Sequence, residues 1–275
     1  MRKYSLAVIA LAMCLSLFMY PKTYALVREG VLDAGVAVWM SLSSRDGARA
    51  AAARDGRTRV VFMFDDGWES VYRTAYPLLK RYGCRGSVGM ICGMARQEGY
   101  MRYAQLAVLY MDGWDILNHS YSHAPNMYER SEELLRDFQR ARDWLEHKGF
   151  SEGMDMAIVP YGECNPYLIR LLMINGYHSV RTSDNILLFS GDDADYYHVK
   201  TIHMETDLSV EAVKEQLAEG RREERDILLN LHKLAEGADP ANMTYSPQKL
   251  EELLAYLKEN EAVFEVVTYT ELLER

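Results

Sequence analysis

Five consecutive apolar residues, Val60-Val61-Phe62-Met63-Phe64, end abruptly at Asp65-Asp66-Gly67. A strand exposed on one face alternates apolar with polar residues, whereas an unbroken apolar run suits a strand buried on both faces. Two adjacent carboxylates at the end of such a strand are costly to bury unless they are paired or bound to a cation. Gly67 permits the sharp turn that would bring both towards one pocket; a solvated turn is the other reading of the same residues.

The strand-then-helix order recurs downstream. Strand patterns over 60–64, 85–91, 114–117, 156–159, 177–180, 197–203, 227–231 and 264–267 alternate with helical spacing over 69–82, 103–111, 131–148, 165–175, 209–219 and 247–259. Gly83, Gly149 and Gly176 close three of these helices. Ser246-Pro247 supplies a cap followed by proline at the first helical position. About seven alternations argue an α/β fold with a mainly parallel sheet. No strand is followed by Gly-x-Gly-x-x-Gly or a phosphate loop, which argues against a nucleotide-binding sheet. A closed or distorted barrel fits better, and in barrels the chemistry sits where strands end and loops begin. With 275 residues and 49% hydrophobic content, the chain can bury one large core or two small ones.

Ahead of this block, Arg2 and Lys3 precede an uncharged apolar run from Ser5 to Met19, followed by Pro21 and Ala25. This reads as an export signal. The run is short for a spanning helix, which needs about 20 apolar residues, and an uncleaved membrane anchor is the alternative. Leu11-Ala12-Met13-Cys14 resembles a lipoprotein box only weakly, because Met13 is large where that box wants a small residue. The expected organisation is a signal peptide or anchor over 1–25, a linker over 26–57 and one domain over 58–275, with the product secreted or held at the cell surface. Losing Arg2, Lys3 and Lys22 takes the formal net charge from −9 to −12. Such a surface repels nucleic acid and anionic membranes, so no nucleic-acid partner is expected. Contact with a membrane would come only through an uncleaved anchor. Cys84, Cys92 and Cys164 remain, an odd number without Cys-x-x-Cys, and read as small buried or half-buried thiols. Oligomeric state is not legible.

Three further segments join Asp65-Asp66 as carriers of chemistry. His119 and His123, just after the 114–117 strand, are four apart and can meet one ion if the segment turns tightly. Pro160-Tyr161-Gly162 makes a rigid turn that can aim the Tyr161 N–H into a pocket, as an oxyanion needs; taken by itself the segment reads first as an ordinary strand-to-loop turn. His232 ends the apolar run Leu228-Leu229-Asn230-Leu231 and could act as a general acid or be a half-buried strand-end histidine. Trp68, Tyr121 and Tyr128 are candidates for stacking on sugar rings or for core packing.

Taken in order, Phe64-Asp65-Asp66-Gly67, His119-Ser120-x-x-His123, Pro160-Tyr161-Gly162 and Leu229-Asn230-Leu231-His232 resemble the motifs of the polysaccharide deacetylases, the carbohydrate esterases with a nodulation-protein-B homology domain, over roughly residues 58–270. The resemblance implies a distorted (β/α)7 barrel, a divalent metal, usually zinc, and a hydrolase that removes N- or O-acetyl groups from a carbohydrate polymer of N-acetylglucosamine type. It implies Asp66, His119 and His123 as metal ligands, Asp65 as general base, Tyr161 as oxyanion donor and His232 as general acid. One position departs from the pattern. Where relatives carry an arginine that orients the catalytic aspartate, this chain has Ile158. The loss of a cation would raise the Asp65 pKa and leaves a non-catalytic carbohydrate-binding surface protein as the alternative. Arg181, after the 177–180 strand, is expected either to replace the missing arginine or to be a surface residue at a strand exit.

Overall fold

The structure is a computed structural model and describes residues 30–31, 33–40, 56–125, 130–183, 186–190, 193–197, 199–237 and 243–273. The chain divides into two compact units, residues 1–44 and 45–275. In the first, the described residues are helical. The export segment and Tyr128 lie outside the described residues. No described helix is long and apolar enough to cross a membrane.

The second unit carries strands β1 (Thr58–Phe64), β2 (Ser87–Met90), β3 (Asp115–Asn118), β4 (Met156–Ile158), β5 (Ser179–Arg181), β6 (Ile186–Ser190), β7 (Asp193–Tyr197), β8 (Val199–His203), β9 (Asp226–Leu231) and β10 (Phe264–Val267). Its helices are α1 (Tyr76–Arg81), α2 (Tyr103–Met111), α3 (Ser131–His147), α4 (Pro166–Ile174), α5 (Val210–Arg222), α6 (Pro247–Glu259) and α7 (Tyr269–Leu273). Seven strands run parallel in the order β5-β4-β3-β2-β1-β9-β8. β10 pairs in parallel with the first half of β1, and β2 takes up the same edge from Met63. Among the described residues no ladder joins β8 to β5, β6 or β7, so the barrel is distorted and its seam stays open.

Side chains from both sides of that seam nevertheless meet inside. Val61, Met63, Leu117, Ile158, Ile186, Val199 and Leu228 pack with Tyr269 and Leu272 of α7 in one buried cluster. Every residue of β1 is buried, as its unbroken apolar run requires. Burying each of its large side chains contributes about 1.5–3 kcal/mol. α7 closes the end of the barrel where the strands begin. Asp115 accepts from the Thr270 N–H at 2.9 Å and Thr270 Oγ1 at 2.7 Å, and Ser87 Oγ accepts from the Tyr269 N–H at 2.8 Å. The opposite, strand-exit end stays open for chemistry. Alternation along β1 and β9 stacks Asp65 above Val61 and Met63, and Asn230 above Leu228, on the inner face.

Two local departures have physical causes. The expected helix over 69–82 opens with a π-type stretch, Val71–Ala75, in which the Tyr76 N–H reaches back to Val71 O. Pro77 follows and has no N–H to donate, which favours the wider turn. The expected strand over 197–203 is two elements, because Tyr197 ends β7 and β8 begins at Val199. β6 and β7 form an antiparallel hairpin beside β5 that interrupts the strand–helix alternation. Cys84 and Cys164 are half-buried and Cys92 is buried, all free thiols as expected.

Candidate active site

Asp65 and Asp66 leave β1 in opposite senses. The Asp65 N–H extends the β1–β9 ladder to Leu231 O at 2.8 Å. Asp66 and Gly67 then take positive φ, 74° and 85°, which turns the chain back on itself. A side chain at Gly67 would meet Met90 Sδ at 2.2 Å, so this turn requires glycine. Asp66 Oδ2 accepts from Trp68 Nε1 at 3.0 Å, which fixes the rotation of its carboxylate.

His119 and His123 lie on a loop that is tied from three sides. Fully buried Asn118 donates to Phe138 O and Met154 O and accepts from the Ser120 N–H. Ser120 Oγ accepts from the His123 N–H at 3.0 Å. Asp137 of α3 accepts at one oxygen from the Tyr121 N–H (3.0 Å), the Ser122 N–H (2.9 Å) and Ser122 Oγ (3.1 Å). Ser120 and His123 adopt positive φ, as do Asp66 and Tyr161. Strained backbone of this kind costs about 1–3 kcal/mol per residue and persists only where surroundings enforce it.

The resulting donor set fits one divalent cation. Asp66 Oδ1 lies 3.5 Å from His119 Nε2 and 3.7 Å from His123 Nε2. These separations are too long for hydrogen bonds. They are close to the spacing of about 3.4 Å expected between donors that share one tetrahedral ion. His119 Nδ1 is 2.8 Å from the Ile158 carbonyl oxygen, which can only accept. Nδ1 therefore carries the proton, and Nε2 offers its lone pair towards Asp66 and His123.

Asp65, almost fully buried, is clamped at one oxygen. Its Oδ2 accepts from Arg181 Nη2 at 2.5 Å and Asn230 Nδ2 at 2.9 Å. Its Oδ1 is buried with no partner among the described residues. A Cβ at Gly89 would lie 2.9 Å from that oxygen and 3.5 Å from His119 Cβ, so glycine keeps open the space beside the ligand set. Burial opposes ionisation of Asp65. Arg181, then His119 and His232, and the Asn230 hydrogen bond outweigh it and hold the carboxyl well below the usual range. Arg181 thus supplies a cation at Asp65 that position 158 does not. Ile158 and Arg181 are register partners on β4 and β5. The guanidinium has moved one strand over, while Ile158 fills the core and orients His119 through its carbonyl. The reading of Arg181 as a surface residue fails as well, since it is 5% exposed.

Burial lowers the His232 pKa against the pull of Asp65 and Asp66; His232 follows β9 directly and is half-buried. Burial and the neighbouring His119 push His123 down to about 4. His119 itself is raised: burial works against its protonation, but Asp66 and Asp65 win. Tyr161, at φ 59°, sits in a turn closed by the Gly162 N–H to Val159 O. Its exposed ring lies 4.6 Å from that of His123. Of the expected sugar-stacking aromatics, Trp68 stacks on Tyr100 at 4.5 Å, and Tyr121 carries the Arg140 guanidinium over its ring at 3.6 Å. Asn230 and Asp137 were not anticipated. Asn230 could have been flagged as the one polar residue within an apolar strand, on the face that alternation assigns to His232.

The Asp137 contacts carry a direct expectation. Asp137→Ala is predicted to weaken divalent-metal binding about 10–100-fold, the usual cost of losing support behind a ligand. Competition with a chromophoric chelator measures this. An unchanged affinity would show that the loop holds its shape without α3.

The barrel thus carries, at its strand-exit end, an Asp-His-His donor set that could hold a metal ion and, beside it, a clamped carboxylate. Residues 52–180 match the family model described as polysaccharide deacetylase. Solved structures share the fold. The Xyl-CE4 domain of a multidomain xylanase from the hindgut metagenome of Trinervitermes trinervoides is 18% identical, with TM-score 0.55, over 79% of this chain and 90% of that one. A peptidoglycan N-acetylglucosamine deacetylase bound to an N-oxidanyl-benzamide is 16% identical, with TM-score 0.54, over 77% and 86%. The peptidoglycan deacetylase PdaC from Bacillus subtilis is 17% identical, with TM-score 0.50, over 81% and 93%. No curated protein matches the chain.

Proposed function

We propose that this chain is a zinc-dependent deacetylase that removes N- or O-acetyl groups from a carbohydrate polymer, with N-acetylglucosamine residues the favoured substrate. The observation that carries this reading is the juxtaposition of the Asp66-His119-His123 set with the one unpartnered oxygen of buried Asp65. A divalent cation held by those three residues would supply Lewis-acid polarisation of the acyl carbonyl. Zinc suits a set of two imidazoles and a carboxylate.

The chain's own residues supply the rest. Arg181 and Asn230 occupy Asp65 Oδ2, which leaves Oδ1 to take the proton of the attacking water. The low pKa of Asp65 keeps it ionised, and so able to accept, throughout the neutral range. The Tyr161 N–H donates to the developing oxyanion. His232, in its imidazolium form, gives a proton to the departing sugar nitrogen or oxygen, and the proton that Asp65 took from the water leaves to solvent. A non-catalytic binding role drew its support from Ile158, and Arg181 removes that support. The experiment is acetate release from N-acetylated and O-acetylated oligosaccharides by zinc-loaded and by chelator-stripped protein. Metal-dependent release supports the reading, and release from none of them by the loaded protein contradicts it.

Export is part of the same proposal, because a polymer substrate of this kind lies outside the cytoplasm. Mass spectrometry of the exported protein is expected to give an N-terminus near Leu26. An intact N-terminus in the membrane fraction would favour the anchor, and purely cytoplasmic protein would end the idea.

A further inference from the structure

Beside the catalytic constellation stands a cation that the reaction does not use. Lys233 follows His232 directly, and its backbone is pinned on both sides. Its carbonyl accepts from the Tyr245 N–H at 2.9 Å, and the next N–H, of Leu234, donates to Ser70 Oγ at 3.0 Å. The Lys233 ammonium lies 5.1 Å from the centre of the Trp68 ring. Trp68 is itself held by its hydrogen bond to Asp66 and by stacking on Tyr100. Among the described residues, no carboxylate forms an ion pair with Lys233. Lys80, Lys200, Lys214 and Lys258 each pair with an acidic side chain, and Lys249 is held by two backbone carbonyls.

In a chain of net charge −9, half-buried Lys233 holds its ammonium over an indole that bonds Asp66, with no anion paired to it among the described residues. A lysine acts on anions as a strongly hydrated point charge. It adds to substrate selection when it is already in place and already partly desolvated before binding. The aromatic face beneath the ammonium and the backbone anchors around it hold Lys233 in place.

We propose that Lys233 is a specificity-determining residue that recognises a carboxylate on the glycan next to the sugar being deacetylated, so that the substrate class is an anionic polymer of alternating acylated and acid-bearing residues. This inference rests on the deacetylase reading of the same site. The carboxylate could belong to a uronic acid ring or to an acidic ether substituent on an amino sugar, and separate substrates distinguish the two.

The test compares kcat/KM for three oligosaccharides of equal length: neutral oligo-N-acetylglucosamine, alternating N-acetylglucosamine and glucuronic acid, and oligo-N-acetylglucosamine with a lactyl ether on every second residue. The native enzyme is expected to prefer one of the acidic substrates over the neutral one by about 10–100-fold, the worth of a charge-assisted hydrogen bond. That ratio should collapse in Lys233→Gln, invert in Lys233→Glu, return in Lys233→Arg, and shrink in the native enzyme as salt rises. A native enzyme that turns over the neutral substrate as well as the acidic ones, or a ratio unmoved by Lys233→Gln, overturns the inference and leaves the deacetylase reading intact. Release from none of the three overturns both.

Discussion

On the proposed mechanism, Asp65→Asn will keep one divalent ion per chain and lose about 10²–10⁴-fold in kcat, the usual contribution of a general base. The amide has nearly the shape of the carboxylate, so packing against Gly89 and the hydrogen bond from Asn230 can survive. What it lacks is the charge that faces Arg181 and an oxygen able to take a proton. Because the proposed ligands Asp66, His119 and His123 are untouched, the ion should stay. Metal analysis of the purified variant beside its rate of acetate release separates the two effects. Near-native rate would remove Asp65 from the mechanism. Loss of the metal would show that Asp65 is part of the ligand set.

Arg181→Met is expected to cost about 3–5 kcal/mol of stability at neutral pH, because it leaves the Asp65 carboxylate buried without its counter-ion. The effect has a defined pH dependence. The folded-state pKa of Asp65 lies below its ordinary value of 3.8, so its favourable contribution is fully present above that value and fades as pH falls below it towards the folded-state pKa. In the variant, burial dominates and favours the protonated acid. The stability gap between native and variant should therefore be widest above about pH 5 and narrow on acidification. Urea denaturation of metal-stripped protein across that range measures it. A gap independent of pH would mean that Arg181 acts through packing alone. The register pairing of Ile158 with Arg181 supplies a stringent companion. The swap Ile158→Arg with Arg181→Ile should recover part of the lost stability and rate, whereas Ile158→Arg alone places two guanidinium groups around one carboxylate and should destabilise.

The parallel framework was legible because strands buried on both faces leave apolar runs, unbroken in Val60–Phe64 and interrupted only by Asn230 in Ile227–Leu231. The β6–β7 hairpin was not, since Asp193–Tyr197 has neither an apolar run nor clean alternation and is held by pairing to β6. The grouping of Asp66, His119 and His123 could be read because it is local to two turns. The clamp on Asp65 could not be read as a whole. Arg181 and Asn230 reach it from strands 116 and 165 residues away in sequence, and only the barrel's register brings them to one oxygen. Asp137 was hidden for a similar reason, because nothing marks one acidic side chain on an amphipathic helix as the partner of a loop before it.

The central claim is that Asp66, His119 and His123 assemble one catalytic ion beside Asp65. It is tested most directly by titrating zinc into metal-stripped protein while following acetate release from an N-acetylglucosamine oligomer. The account predicts that the rate rises linearly and saturates at one equivalent per chain, and that the double variant His119→Ala with His123→Ala stays flat throughout. Release that is full before any metal is added, or a double variant that saturates as the native protein does, would contradict it.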